Sequence, residues 1–255
     1  MTAVFLAGGS SVCDRPRSMA PMIGWGQAMP LFIQGADVIN CARAGASSKS
    51  FMERGRLSWI LDHLTPGDLL VVCFGINDMR PVDGLYAAPF GEYQSVLRRY
   101  VTEARDRGAH PVLVTPHERR VYDRFGNLRR PLRLYPAAMR EEAQRLAVPL
   151  IDLNEWSVGW WRRLGPDGTR DLFLHLEPGE HPNYPEGIAD NTHLRAHGAA
   201  ECARFVAGEL RAQGLLPTDW FRNLEAVIDA DRVIPFLDDA VFEQLTKERV
   251  AGGMK

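Results

Sequence analysis

The sequence predicts an α/β domain in which five parallel strands form a sheet between two layers of helices, and three observations predict it. Short apolar runs alternate with longer segments of helical periodicity from the N-terminus to about residue 165, the habit of a parallel sheet wrapped by its crossover helices. The 255 residues are 45% hydrophobic and 24% charged, which suits a chain with a substantial packed core and argues against disorder. No internal repeat and no Gly/Ser linker divides it.

The expected strands are 3–7, 37–41, 68–74, 110–115 and 149–152. Between the second and third, Phe51, Leu57, Ile60, Leu61 and Leu64 follow helical spacing, with Ser50 and Glu53 in the form of a capping box. Between the third and fourth, Tyr93, Val96, Leu97, Tyr100, Val101 and Ala104 mark one apolar helix face, and Gly108 stands where a helix stop belongs. Residues 137–146 and 195–213 supply two more helices. Residues 165–190 are rich in Gly, Pro, Asp and His, with little periodicity outside 172–176, and read as a long functional loop. We therefore expect a sheet domain over 1–215. An extension over 216–255, with Trp220, Phe221, Leu224, Phe236 and Phe242 among its apolar residues, is expected to form short helices packed on the domain or on a partner subunit, the latter giving a homo-oligomer.

Composition narrows the function. The net charge of −2 comes from 30 basic and 32 acidic residues that are interspersed, so no nucleic-acid partner is expected. The four cysteines, Cys13, Cys41, Cys73 and Cys202, form no CxxC pair. Free buried thiols are the expectation, with no zinc site and no disulfide framework. No apolar run is long enough to span a bilayer, and Met1 leads almost at once into a strand without a basic leader, so a cytoplasmic protein with no membrane partner is expected.

Ligands of an open parallel sheet bind beyond the carboxyl ends of its strands, and the polar chemistry of this chain falls there. Gly8-Gly9-Ser10-Ser11 follows the first strand, Asn40 through Gly45 to Ser48 the second, and Gly75-Ile76-Asn77-Asp78 the third; Asp190-Asn191-Thr192-His193 precedes the last helix of the domain. Acyl transfer by serine needs a base, a carboxylate to orient it and donors for the developing oxyanion. Ser10 is the candidate nucleophile, His193 the base and Asp190 its orienting acid. The backbone N–H groups of Ser10 and Gly45 and the side-chain amide of Asn77 are the candidate oxyanion hole. For Asp78 a structural role is preferred. Neither a metal nor an organic cofactor is required.

These four blocks, AGGSSV, NCARAGASSKSF, FGINDM and DNTHL, resemble in order and position those of the SGNH/GDSL hydrolase superfamily. Within it the chain is similar to the rhamnogalacturonan acetylesterase group, through GWGQ at 24–27, TPHERR at 115–120 and the loop LEPGEHPNYPEGIADNTH. The resemblance covers roughly residues 3–208. It implies a three-layer α/β/α sandwich with strand order 2-1-3-4-5, and a serine esterase that removes acetyl groups from pectin oligosaccharides. One departure stands out: the first block of the family reads Gly-Asp-Ser, and here Gly9 occupies the Asp position.

Arg119, Arg120, His175, His181 and Tyr184 are candidate contacts to the sugar, the arginines because a guanidinium fork recognises carboxylates. Three rival readings remain at this point, the first an esterase acting on another acetylated sugar such as xylan fragments. A catalytically silent sugar-binding protein is motivated by Gly9. A metallohydrolase is motivated by the spacing of Asp190, His193 and His197, although Leu194 stands where HExxH proteins carry glutamate. An α/β-hydrolase elbow GxSxG and a dinucleotide-binding GxGxxG are both missing from the chain.

Overall fold

The computed structural model describes residues 2–251. Strands β1 (Ala3–Gly8), β2 (Asp37–Asn40), β3 (Leu69–Cys73), β4 (His110–Val114) and β5 (Leu150–Ile151) form one parallel sheet in the order 2-1-3-4-5. The helices are α1 (Trp25–Ala28), α2 (Ser48–Glu53), α3 (Arg56–His63), α4 (Gln94–Asp106), α5 (Leu134–Arg145), α6 (Leu153–Gly168), α7 (Ala196–Ala212), α8 (Ala230–Val233) and α9 (Asp239–Ala251). A separate antiparallel pair, β6 (Phe173–Leu176) with β7 (Ile188–Leu194), lies between α6 and α7 in the chain.

The strands are apolar along their length because each side of the sheet is covered. Side chains alternate across a strand, so Val4, Leu6, Leu69, Val71 and Val112 enter one core with residues of α1, α6 and α7. Phe5, Ala7, Leu70, Val72 and Leu113 enter the other with residues of α2, α3, α4 and α5. Three layers follow. Burying each large aliphatic side chain contributes roughly 2 kcal/mol, and the alternation distributes that gain over two cores.

The structure revises three expectations. The helical pattern after β2 is two helices, broken where Gly55 takes φ 71°, and the capping box is made by Ser47 and Ser50 one turn earlier than Ser50 with Glu53. A helix the sequence reading did not name, α6, starts at Asp152, whose carboxylate accepts from Glu155 N. The segment 165–190 is a kinked end of α6 followed by the β6–β7 hairpin rather than one irregular loop.

All four cysteines are buried and unbonded. The apolar residues after Leu216 pack on the same chain: Gln34 N donates to Trp220 O at 2.8 Å and Arg17 N to Leu237 O at 2.9 Å. A Cβ on Gly35 would lie 2.1 Å from the Trp220 indole, so the close fit requires glycine. These contacts lend no support to an oligomer through this segment, whose residues 252–255 lie outside the described ones. Among the described residues no helix is long and apolar enough to cross a membrane.

Candidate active site

The site begins where β1 ends. After Gly8 the chain turns, with Val12 N and Cys13 N both donating to Gly9 O at 3.1 and 3.2 Å. Ser10 sits in that turn, 8% exposed. Arg15, itself 1% exposed, donates Nη2 to Ser10 O at 2.8 Å, and Trp25 N donates to Ser11 O at 2.8 Å. The GWGQ segment lies directly against the turn. A Cβ on Gly24 would stand 2.3 Å from Cys13 O and one on Gly26 2.4 Å from Val12 O, while Gln27 Oε1 accepts from Arg15 N at 2.9 Å. Arg15 has no signature in the sequence, since an isolated arginine carries no spacing signal.

β1 lies between β2 and β3, so the loops after all three strands meet at one edge. Asp78 joins two of them: buried, it accepts from Ser48 N at 2.9 Å and Ser48 Oγ at 2.5 Å through one oxygen, and from Gly75 N at 2.9 Å through the other. Burial pushes its carboxyl up to about 6 against these hydrogen bonds. That clasp sets its neighbour Asn77, whose Nδ2 donates to Ala46 O at 3.0 Å and keeps a second amide proton for another acceptor. Gly45 takes φ +76° in the turn before Ala46, the left-handed conformation glycine adopts without strain. Among the described residues, neither the Ser10 N–H nor the Gly45 N–H has a protein acceptor.

Gly9 has a readable consequence here. A Cβ at this position would stand 3.0 Å from Ala46 O and 3.4 Å from Asn77 Nδ2. An aspartate would therefore border the Asn77 amide, which Ala46 O alone orients in this chain.

The candidate acid and base, Asp190 and His193, both lie on β7. His193 Nδ1 is 2.6 Å from Asp190 Oδ2, while Asp190 Oδ1 accepts from Thr192 N at 2.7 Å and His193 N at 3.0 Å. Burial alone would raise the Asp190 carboxyl. The hydrogen bond and charge of His193, with the two N–H bonds, outweigh burial and hold it down at about 2. Asp190 is thus an anion at neutral pH, and the 2.6 Å contact commits His193 Nδ1 to donating to it.

A cavity of about 340 Å³ joins these elements, lined by Ser10, Ile76, Asn77, Met79, Arg80, Pro81, Arg119, Thr192 and His193. Gly45 is not in that lining; its neighbour Ala46 lines a void of about 10 Å³ behind Ser10 and Asn77. Of the sugar-contact candidates only Arg119 reaches the cavity, where Nε donates to Thr192 Oγ1 at 2.8 Å. Arg120 Nη1 and His175 Nε2 instead meet Asn191 Oδ1 at 3.1 and 2.9 Å, bracing β7. Tyr184 OH donates to Met19 O at 3.2 Å, tying its loop to the turn at 17–19, whereas His181 Nδ1 accepts from Asn183 N at 3.2 Å within its own loop. Met79, Arg80 and Pro81 were missed, although their place just after Asn77-Asp78 pointed to them.

His197 is exposed on α7, its ring 6.3 Å from that of Trp160. Among the described residues no three His, Cys, Asp or Glu side chains are grouped to hold a metal ion. His117 is fully buried against Trp161 and Phe173, and burial pushes its imidazole down to about 4.

Comparison with known proteins identifies the family. The pattern of the GDSL-like lipase/acylhydrolase family matches residues 8–200. The chain is 45% identical over 213 residues to the rhamnogalacturonan acetylesterase RhgT of Bacillus subtilis, an alignment covering 83% of this chain and 90% of that protein. It is 37% identical over 221 residues to the probable rhamnogalacturonan acetylesterase YesY of the same organism, covering 85% and 95%. The crystal structure of the B. subtilis protein YxiM superposes with a TM-score of 0.69 at 28% identity, over 84% of this chain and 57% of that one.

Proposed function

The chain belongs to the GDSL-like lipase/acylhydrolase family, and from that premise we propose that this carboxylic ester hydrolase removes O-acetyl groups from rhamnogalacturonan oligosaccharides through an acetyl–Ser10 intermediate. The observation that carries the reading is that His193, 2.6 Å from Asp190 through Nδ1, lines one cavity with Ser10. The two named acetylesterases, 45% and 37% identical, support the substrate class.

The chemistry follows from which groups can take and return a proton. His193 Nε2, left free because Nδ1–H is committed to Asp190, accepts the Ser10 hydroxyl proton as Oγ attacks the acetyl carbon. The carbonyl electron pair moves onto oxygen, where the Ser10 and Gly45 N–H groups and the second Asn77 amide proton are available as donors. Collapse expels the sugar oxygen, which takes the proton from His193. Water then gives a proton to His193, attacks the acetyl–Ser10 ester and releases acetate as Ser10 recovers its proton.

The test is acetate release from acetylated rhamnogalacturonan oligosaccharides by wild type, Ser10→Ala and His193→Ala. Each variant is expected to lose several orders of magnitude in kcat. Full turnover in either would sink the triad assignment, and no release by wild type would sink the substrate.

A further inference from the structure

Resting on that esterase reading, we propose that Arg15 is a positioning residue for acyl transfer, its buried guanidinium holding the Ser10 carbonyl so that the Ser10 hydroxyl and N–H keep their aim at the substrate. The residue is 1% exposed. Nη2 donates to Ser10 O at 2.8 Å, Nη1 meets Met19 Sδ at 3.9 Å, and Nε is buried without a partner. Among the described residues Arg15 forms no ion pair, and the adjoining Asp14 is instead bonded to Asn40 Nδ2 at 2.7 Å. No backbone N–H among them donates to Ser10 O. The Cys13 thiol, 3.7 Å from that oxygen, is a weak donor, which leaves Arg15 as the strong one.

A guanidinium taken out of water without a carboxylate is strongly disfavoured, whereas one buried carbonyl is satisfied as well by a neutral amide. The fold alone therefore has little use for a charge here. The turn has other ties: Gly9 O accepts from Val12 N and Cys13 N, Ser11 O from Trp25 N, and Gly8 O from Arg43 N at 2.9 Å. None of them involves Ser10, and Gly8 and Gly9 before it bring no side chains to restrain it. The guanidinium does restrain it, as a rigid planar group whose own backbone is locked. Arg15 N donates to Gln27 Oε1 at 2.9 Å, Gln27 Nε2 to Pro235 O at 2.6 Å, and Leu237 N to Arg15 O at 3.2 Å. The C-terminal segment thereby reaches the nucleophile turn through one side chain. A fixed cation at Ser10 also favours the anion that develops there over the neutral ester, so loss of Arg15 falls on kcat rather than on substrate binding.

The experiment compares kcat and KM for 4-nitrophenyl acetate in wild type, Arg15→Met and Arg15→Lys, with urea unfolding giving the folded fraction of each. Arg15→Met removes the donor, and its kcat per folded chain is expected to fall roughly 10²-fold, the cost of a group misplaced by about 1 Å, with KM within about twofold of wild type. A single bond reaches Ser10 O, so an ammonium can replace it, and Arg15→Lys should recover kcat to within roughly tenfold of wild type. A role confined to folding would lower the folded fraction and leave kcat per folded chain unchanged. The proposal falls if Arg15→Met keeps kcat per folded chain within about threefold of wild type, if its loss lies in KM, or if Arg15→Lys is no faster than Arg15→Met. The esterase reading fails separately, if Ser10→Ala hydrolyses the ester as fast as wild type.

Discussion

Asp190→Asn isolates the orienting role of one carboxylate. The amide can still accept from Thr192 N and His193 N through one oxygen, as Oδ1 does now at 2.7 and 3.0 Å. Its other end, now 2.6 Å from His193 Nδ1, becomes an NH2 donor. Nδ1 must then accept, and the imidazole proton moves to Nε2, the atom required to be an acceptor for the Ser10 hydroxyl. The expected loss is about 10⁴ in kcat, the size seen for the same change in other serine hydrolases, or about 5 kcal/mol of barrier. The stability effect is smaller. The Asp190 carboxyl drops from 3.8 to about 2 on folding, so its ionised form contributes about 2 kcal/mol. Because this folded value lies below the unfolded one, the contribution is complete above about pH 4 and is lost as pH falls through 2. Steady-state kinetics on 4-nitrophenyl acetate and urea unfolding at pH 7 measure the two effects. An Asn variant within tenfold of wild-type kcat would refute the tautomer argument.

Asn77→Ala is expected to lower kcat by about 10²- to 10³-fold with little change in KM, since an oxyanion donor acts chiefly in the transition state; an effect confined to KM would argue against that role. His117 should weaken the fold in mild acid. Its folded value, about 4, lies below the usual 6.5, so the stability of its neutral form is complete above about pH 6.5 and is lost as pH falls to 4, a swing of about 3 kcal/mol. His117→Phe removes that titration, while the carboxyls of Asp14 and Asp78, each pushed up to about 6 by burial, titrate in both proteins and cancel. Urea unfolding from pH 7 to pH 4 should therefore show a steeper loss for wild type, and parallel curves would contradict it.

The sheet was legible because its inner strands β1, β3 and β4 are buried on both faces and the strands are bounded by Gly, Pro or polar residues; the order 2-1-3-4-5 followed from the resemblance. The site was legible as four blocks because three sit at strand ends, where ligand chemistry collects. What escaped had no periodic signal. The β6–β7 hairpin spans two strands separated by 177–187, and its irregular register between Phe173 and His175 masks the alternation. Arg120, His175 and Tyr184 looked like sugar contacts from their loop positions, but their partners, Asn191 and Met19 O, are long-range and invisible in sequence. Arg15 and His117 likewise acquire their meaning only from burial.

The acetyl–Ser10 intermediate is the central claim, and rapid acid quench during turnover of 4-nitrophenyl acetate addresses it directly. An activated ester acylates quickly, so the acyl-enzyme should accumulate in a burst of one nitrophenolate per chain, with the acetyl group found by mass spectrometry on the peptide containing Ser10. A burst that persists in Ser10→Ala, or an acetyl group on another residue, would contradict the account.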